Sequence, residues 1–241
     1  MTQDAPARSH RQMYEASTQK IYDVQSYIYD ATFGRLVSRR IKTALQHLPL
    51  EKDDRVLDIG IGTGTSLNYY PTDCGKVVGV DLSAGMLREA RKKVVETGRG
   101  NAAIVRADAM VLPFETDSFD HVFISHVITV VSDPFKLVRE AQRVAREGAR
   151  IVILNHFKSD NRMVGLVEGW LCPLCTKLGW RSDLALSEVV EKTGIEVDYR
   201  FKLRTLDLWE TVVTTNTKSA VRRQAYESEP AAEGQLDVAT A

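Results

Sequence analysis

The chain has few cysteines, no excess of charge and no long apolar run. Three cysteines, Cys74, Cys172 and Cys175, in 241 residues are too few, and odd in number, for a disulfide framework. The polar N-terminus lacks the apolar centre of a secretory leader, so the expected setting is a reducing cytoplasm with reduced, structural thiols. Cys172 and Cys175 have zinc or redox spacing. No second CxxC and no paired histidines complete a metal site, however, and no strand feeds a helix there as in a thioredoxin. Basic and acidic side chains balance at 32 each, a formal net charge of +0, so no global field draws the chain to nucleic acid. No segment approaches the ~20 apolar residues needed to cross a bilayer.

What is present suits one main domain with additions: 44% of the residues are hydrophobic, and the length allows one sizeable core. Tyr14, Ile21, Val24 and Ile28 recur at near-helical spacing, as do Phe33, Leu36, Val37, Ile41, Ala44, Leu45 and Leu48 before Pro49. Two helices are therefore expected ahead of the first strand, in an N-terminal extension over 1–50. Strand-like runs follow at Arg55–Ile59, Lys76–Asp81, Ala103–Ala107, His121–Ser125 and Arg150–Asn155. Between them, Ala84–Glu96 and Pro134–Arg146 read as helices, the second with Pro134 in its first turn and Gly148 just past its end. Near-continuous Val, Ile and Leu implies strands buried on both faces, hence a doubly wound α/β domain with a mostly parallel sheet. Asp183–Lys192 reads as a helix closed by Gly194, and Glu196–Leu203 with Leu208–Thr215 as a closing antiparallel pair. The expected domain spans 51–216 with an insertion at 157–182; residues 217–241 have the composition of a disordered tail.

Gly60, Gly62 and Gly64 follow the first strand, where a backbone must turn sharply and approach a ligand closely. Asp81 ends the second strand, a position from which a carboxylate accepts hydrogen bonds from ribose hydroxyls. Nicotinamide and S-adenosylmethionine (SAM) enzymes share this arrangement. Two residues separate them here: Thr65 stands where a dinucleotide fingerprint wants glycine or alanine, and Asp58 suits the ammonium of a cationic amino-acid ligand better than a pyrophosphate. Asp58-Ile59-Gly60-Ile61-Gly62-Thr63-Gly64 resembles motif I of the class I methyltransferases. Val80-Asp81-Leu82-Ser83 with Met86 resembles their second motif, and Arg106-Ala107-Asp108-Ala109 the segment whose acid reaches the adenine amino group. Ser118-Phe119-Asp120 leading to Ser125-His126 matches their fourth-strand motif. The resemblance covers about residues 50 to 155, with the motifs in family order. It implies a seven-stranded Rossmann-like sheet with an antiparallel last strand, SAM as cofactor and no metal. The implied cofactor-binding set is Tyr22, Asp58, Gly60, Gly62, Thr63, Gly64, Asp81, Leu82, Met86, Asp108, Ala109 and Ser125. Taken singly, Asp108 also reads as a turn former, Met86 as a core filler and His126 as a helix-start residue.

The acceptor is set by what is added around the sheet. Residues 1–50 hold seven basic and four acidic side chains, and the insertion carries Trp170 and Trp180 among aliphatics flanked by Lys158, Arg162, Lys177 and Arg181. That composition suits either a lid or an interfacial segment. Tyr22-Asp23, Tyr27-Ile28-Tyr29-Asp30 before Phe33-Gly34, and Leu178-Gly179-Trp180-Arg181 resemble the soluble bacterial phosphatidylethanolamine N-methyltransferases. The Tyr-Asp feature is also similar to quinone-biosynthesis C-methyltransferases. The first resemblance implies successive methylation of the ethanolamine nitrogen towards phosphatidylcholine, at the cytoplasmic face of an anionic membrane that the protein joins peripherally. Tyr27, His126 and Asn155 are then the catalytic candidates, with His156 nearby and Asn155 able only to orient. Tyr22, Tyr27 and Tyr29 are placed to close over the site or to hold the amine. Arg35, Arg39, Arg40, Lys158 and Arg162 are candidates for the lipid phosphate. The alternatives are a small-molecule or quinone methyltransferase, a dehydrogenase, and a non-catalytic membrane-binding module.

Overall fold

The computed structural model describes residues 35–158, 184–204 and 207–218. The expected first helix with Tyr22 and Tyr27, residues 159–183 with Arg162 and the CxxC pair, and the tail beyond Lys218 lie outside them. Seven strands form one sheet: β1 (Arg55–Ile59), β2 (Lys76–Asp81), β3 (Ala102–Arg106), β4 (Phe119–Ser125), β5 (Ala145–His156), β6 (Val197–Phe201) and β7 (Trp209–Thr215), in the order β3-β2-β1-β4-β5-β7-β6. β1 to β5 pair in parallel, and β7 runs antiparallel to both β5 and β6. The order reverses between β1 and β4, and that switch point opens the crevice in which such sheets bind ligands, at the carboxyl ends of their strands.

Alternation along β1 divides the core. Leu57 and Ile59 pack with Val122, Ile124, Ile151 and Ile153 against α3 (Pro134–Val144) and α4 (Leu186–Thr193). Val56 packs with Phe123, Val152 and Val213 on the other face, beneath α1 (Arg35–Leu45) and α2 (Ala84–Glu96). Asp58 shares the Val56 parity, so its side chain enters this second layer. The helices start where their caps dictate. The Ser83 hydroxyl accepts from Met86 N at the head of α2, and Asp133 Oδ1 accepts from Phe135 N and Lys136 N (3.1 and 2.9 Å) at the head of α3, with Pro134 in its first turn.

The bounds of β3 to β7 shift by one to five residues from expectation, β5 the most, since it starts at Ala145, and the helices differ as follows. α3 stops at Val144, and Gly148 lies within β5 at φ +77° instead of capping the helix. The cause is Asn216, just past β7: its Nδ2 donates to the carbonyls of Gln142, Ala145 and Arg146 at 2.9–3.0 Å and closes the helix from outside. α4 starts at Leu186, later than expected, because the Leu184 carbonyl accepts from Lys158 N (2.9 Å) and holds the chain extended. α1 ends at Leu45, after which a tighter turn carries the chain through Leu48, whose N–H donates to Leu45 O (3.1 Å). Gly194 closes α4 in the left-handed conformation, as expected.

Asn216 is buried at 3% exposure, so removing its amide strands carbonyls that water cannot reach. Asn216→Ala is expected to cost about 1–3 kcal/mol in urea unfolding with an unchanged denaturant slope; an unshifted midpoint would show that the helix end finds its own partners.

Candidate active site

The three glycines of the β1 loop serve different ends. A Cβ at Gly60 (φ +77°) would lie 2.7 Å from Val127 Cβ, and one at Gly64 (φ +80°) 2.9 Å from Leu67 Cδ1 and 3.2 Å from Ala90 Cα. Those two positions are filled by protein. At Gly62 (φ +56°) a Cβ would meet nothing nearer than Gly60 O at 4.0 Å, so this is where the backbone faces open space. The loop is tied to β2 at every step: Gly60 N and Ile61 N donate to Val80 O (2.9 and 3.0 Å), and Gly62 N to Asp81 Oδ2 (3.1 Å). Asp81 Oδ1 accepts from Ser83 N (2.9 Å), so one carboxylate joins the loop to the head of α2. Two such bonds do not exhaust its lone pairs.

Asp58, at 0% exposure, lies behind this loop. Its Oδ2 accepts from the Tyr70 hydroxyl (3.0 Å), while Oδ1 has no hydrogen-bond partner among the described residues. Burial raises its pKa to about 6; the Ser66 and Tyr70 hydroxyls act against the rise and the Asp81 charge adds to it. Tyr70 is itself pinned through its carbonyl, which accepts from Arg99 Nη2 (2.8 Å). Tyr70 was not among the expected site residues. Its only mark in the sequence is a hydroxyl-bearing aromatic ahead of Pro71, and no spacing rule links it to Asp58.

The remaining cofactor candidates ring the same strand ends. Asp108, just past β3, accepts from Met110 N (2.8 Å), so its turn-forming reading is real, and Ala107 N bonds Asp81 O (3.1 Å). Met86 and Thr63 are buried, Ala109 is at the edge of burial, and Leu82 is exposed. Ser125, ending β4, has its Oγ 2.7 Å from His126 Nδ1. His126 does not start a helix: it sits at φ +57°, a strained left-handed position for a non-glycine residue, with its N–H on Leu154 O (2.9 Å). Burial, then the charge of Arg40, lowers its pKa to about 4, so the imidazole is neutral at physiological pH.

On the β5 side, Asn155 Nδ2 donates to Thr129 Oγ1 (3.1 Å) and to the His156 carbonyl (2.9 Å), and its buried Oδ1 has no partner among the described residues. His156 Nδ1 lies 2.6 Å from Leu208 O. Arg40 is removed from the phosphate-binding candidates: its Nε and Nη2 bind Asp207 at 2.8–3.1 Å, and its guanidinium stacks over Trp209, 4.6 Å from the ring centroid. Trp209 in turn lies 6.2 Å from the His126 ring. Asp207 and Trp209 were not anticipated, because the partners of this cluster are separated by 167 positions. Arg39 and Lys158 are exposed, whereas the side chain of Arg35 lies outside the described part. Among the described residues no group of three or more His, Cys, Asp or Glu side chains is placed to hold a metal.

A family model described as "Methyltransferase domain" matches residues 57–153, the stretch that carries the carboxyl ends of β1 to β4. The phosphatidylethanolamine N-methyltransferase of Cereibacter sphaeroides is 37% identical over 171 residues, covering 70% of this chain and 83% of that one. The chain belongs to the class I SAM-dependent methyltransferases. Another family member, the ubiquinone/menaquinone biosynthesis C-methyltransferase UbiE of Hahella chejuensis, is 33% identical over 159 residues, covering 62% of this chain and 64% of its own length. The solved geranyl diphosphate C-methyltransferase of Streptomyces coelicolor A3(2) shares the fold at a TM-score of 0.65 and 16% identity, over 76% of this chain and 80% of that one. SAM is the cofactor of this methyltransferase.

Asp58 and His126 load stability in opposite directions. Folded Asp58 keeps a proton that the unfolded chain has released between pH ~4 and ~6, so stability falls as pH rises through that window, by about 3 kcal/mol. Folded His126 refuses a proton that the unfolded chain takes up below pH ~6.5, so stability falls as pH drops towards ~4, by a similar amount. The two slopes cancel where they overlap. Asp58→Asn is therefore expected to be more stable than the parent at pH 8 and no more stable at pH 4, and to unmask the His126 slope in thermal unfolding. A pH-independent difference would contradict the buried carboxylate's raised pKa.

Proposed function

We propose that this methyltransferase transfers methyl groups from SAM, successively, to the ethanolamine nitrogen of phosphatidylethanolamine, towards phosphatidylcholine at a membrane surface. The observation that carries the reading is the 37% identity to a phosphatidylethanolamine N-methyltransferase across 83% of that relative. No helix among the described residues is long and apolar enough to cross a membrane, so a lipid acceptor would have to be reached from the surface.

SAM, when bound, supplies an electrophilic methyl group to a nucleophile aligned behind it. Two features support a cofactor seat at the β1 loop: a buried acceptor, Asp58 Oδ1, without a partner among the described residues, and a glycine, Gly62, facing space that no described residue fills. In this reading Asp58 receives the cofactor's ammonium and Asp81 its ribose. Asp108 and the backbone at Ala109 receive the base, and Leu82 and Met86 flank it. Gly60, Gly64 and Thr63 shape the loop, Ser125 fixes the His126 ring, and Tyr22 closes over the seat. Tyr70 acts as a positioning residue, holding Oδ2 so that Oδ1 points a lone pair at the ligand.

At the acceptor side His126, being neutral, orients the amine through a ring nitrogen. With a pKa of about 4 it is too weak a base to deprotonate an ammonium whose ordinary pKa is near 10. Burial of the amine would instead favour its neutral form before transfer. Asn155 Oδ1 can accept a hydrogen bond from the same nitrogen, and Tyr27 completes the acceptor set. Arg39 and Lys158, both exposed, with Arg35 and Arg162, are the groups for the headgroup phosphate. A quinone acceptor is the second reading, favoured by the 33% identity to a quinone-pathway C-methyltransferase.

Labelled methyl from SAM is expected in the mono- and dimethyl derivatives of phosphatidylethanolamine and in phosphatidylcholine when phosphatidylethanolamine is supplied; label confined to the methylated quinone when a demethylmenaquinone is supplied alongside it would sink the proposal and establish the second reading. Tyr70→Phe is expected to weaken SAM binding about tenfold by calorimetry, the value of one hydrogen bond to a charged group, with the fold unchanged by circular dichroism. Unaltered affinity would remove Tyr70 from the seat.

A further inference from the structure

We infer that Lys202, Leu203 and Arg204 after β6, with Leu208 before β7, form a membrane-docking patch that seats the acceptor end of the protein on an anionic lipid surface. This rests on the lipid-acceptor reading and assigns it a surface outside the expected N-terminal helices and insertion. β7 starts beside the end of β5, with Trp209 paired to His156, and β6 ends beside Thr211. The turn therefore projects from the same edge of the sheet as Gly62, Asp81, His126 and Asn155.

Its composition is that of an interfacial contact. Leu203 and Leu208 are exposed at 41% and 47%, two of the few large apolar side chains exposed among the described residues. Lys202 and Arg204 are exposed beside them and form no ion pair among the described residues. The carboxylates of this stretch are turned away or neutralised: Asp207 is buried on Arg40, and Glu210 faces Arg200 at 3.6 Å. Exposed Lys158, two residues past the end of β5, adds a cation at the same edge of the sheet. Aliphatics flanked by cations insert at headgroup depth, the cations drawn to an anionic leaflet.

The described residues on the β7 side of the turn are also tied to the body of the protein. The Asp207 carboxylate, only 1% exposed, is fixed by the Arg40 fork, Asp207 N donates to Arg204 O (3.0 Å), and the Leu208 carbonyl is held at His156 Nδ1 (2.6 Å). Docking at Leu203 and Leu208 would thus set the height of His156 and Trp209 above the lipid plane.

The test is sedimentation of the full chain with vesicles of phosphatidylglycerol and phosphatidylethanolamine. It compares the parent, Leu203→Ser with Leu208→Ser, Lys202→Glu with Arg204→Glu, and a control reversing Lys52 and Lys76, exposed cations at the opposite edge of the sheet. Both turn variants are expected to bind at least about tenfold less vesicle, the loss equivalent to 1.4 kcal/mol, while the control binds like the parent. SAM affinity and methylation of a short-chain, monomeric phosphatidylethanolamine should be unchanged in all of them. Parent-like vesicle binding by the turn variants, or an equal loss in the control, would overturn the proposal. So would a change in sedimentation coefficient with vesicle binding intact, which would mark the turn as a protein contact. Failure of the parent to methylate the monomeric lipid would instead strike the lipid-acceptor reading, leaving the vesicle result to be judged separately.

Discussion

The carboxylate of Asp81 joins the parts of the site that must not move relative to each other. It accepts Gly62 N with one oxygen and Ser83 N with the other, and so couples the loop of the central strand to the head of α2. Around that junction the glycines divide between packing and access. Gly60 lets the loop lie against Val127, Gly64 admits Ala90 of α2, and Gly62 alone is left open. Gly79, one strand over, gives the Ile61 side chain its room, since a Cβ there would stand 2.1 Å from Ile61 Cδ1. The opening at Gly62 exists because its neighbours are filled.

Elements whose ends are marked locally were legible in the sequence. β1, β2 and α2 have the expected bounds, Arg55–Ile59, Lys76–Asp81 and Ala84–Glu96, because a charged residue or a cap stands at each boundary and strongly periodic residues lie between. The end of α3 was not legible, since its cap, Asn216, arrives from 74 positions away. The same holds at the site. Asp58, Asp81 and the glycines stand out because strand, turn and carboxylate fall within one short stretch. Tyr70, Asp207 and Trp209 matter through side-chain bonds between distant segments, and such bonds leave neither period nor spacing behind.

Burial sets the chemistry of the two sides in opposite senses. It raises the Asp58 pKa to about 6 and lowers that of His126 to about 4, so near neutral pH a carboxylate that is still mostly ionised lies on one side of the switch point and a neutral imidazole on the other. A buried carboxylate with one oxygen unbonded among the described residues is a cost that the fold bears. The imidazole is kept neutral partly by Arg40, whose main task is to hold Asp207. One ion pair between α1 and the start of β7 thereby reaches both the architecture and the electrostatics of the acceptor side.

Reversal of β7 also fixes where the chain leaves the sheet. After Thr215 it passes Asn216, beneath the end of α3, to Lys218, whose ammonium meets Asp117 and the Arg143 carbonyl (3.2 Å). That exit lies at the edge of the sheet opposite Gly62 and His126. The sheet consequently carries its candidate site at one edge and the departure of its last described segment at the other, so a label placed at Lys218 would sit a full strand length from Gly62.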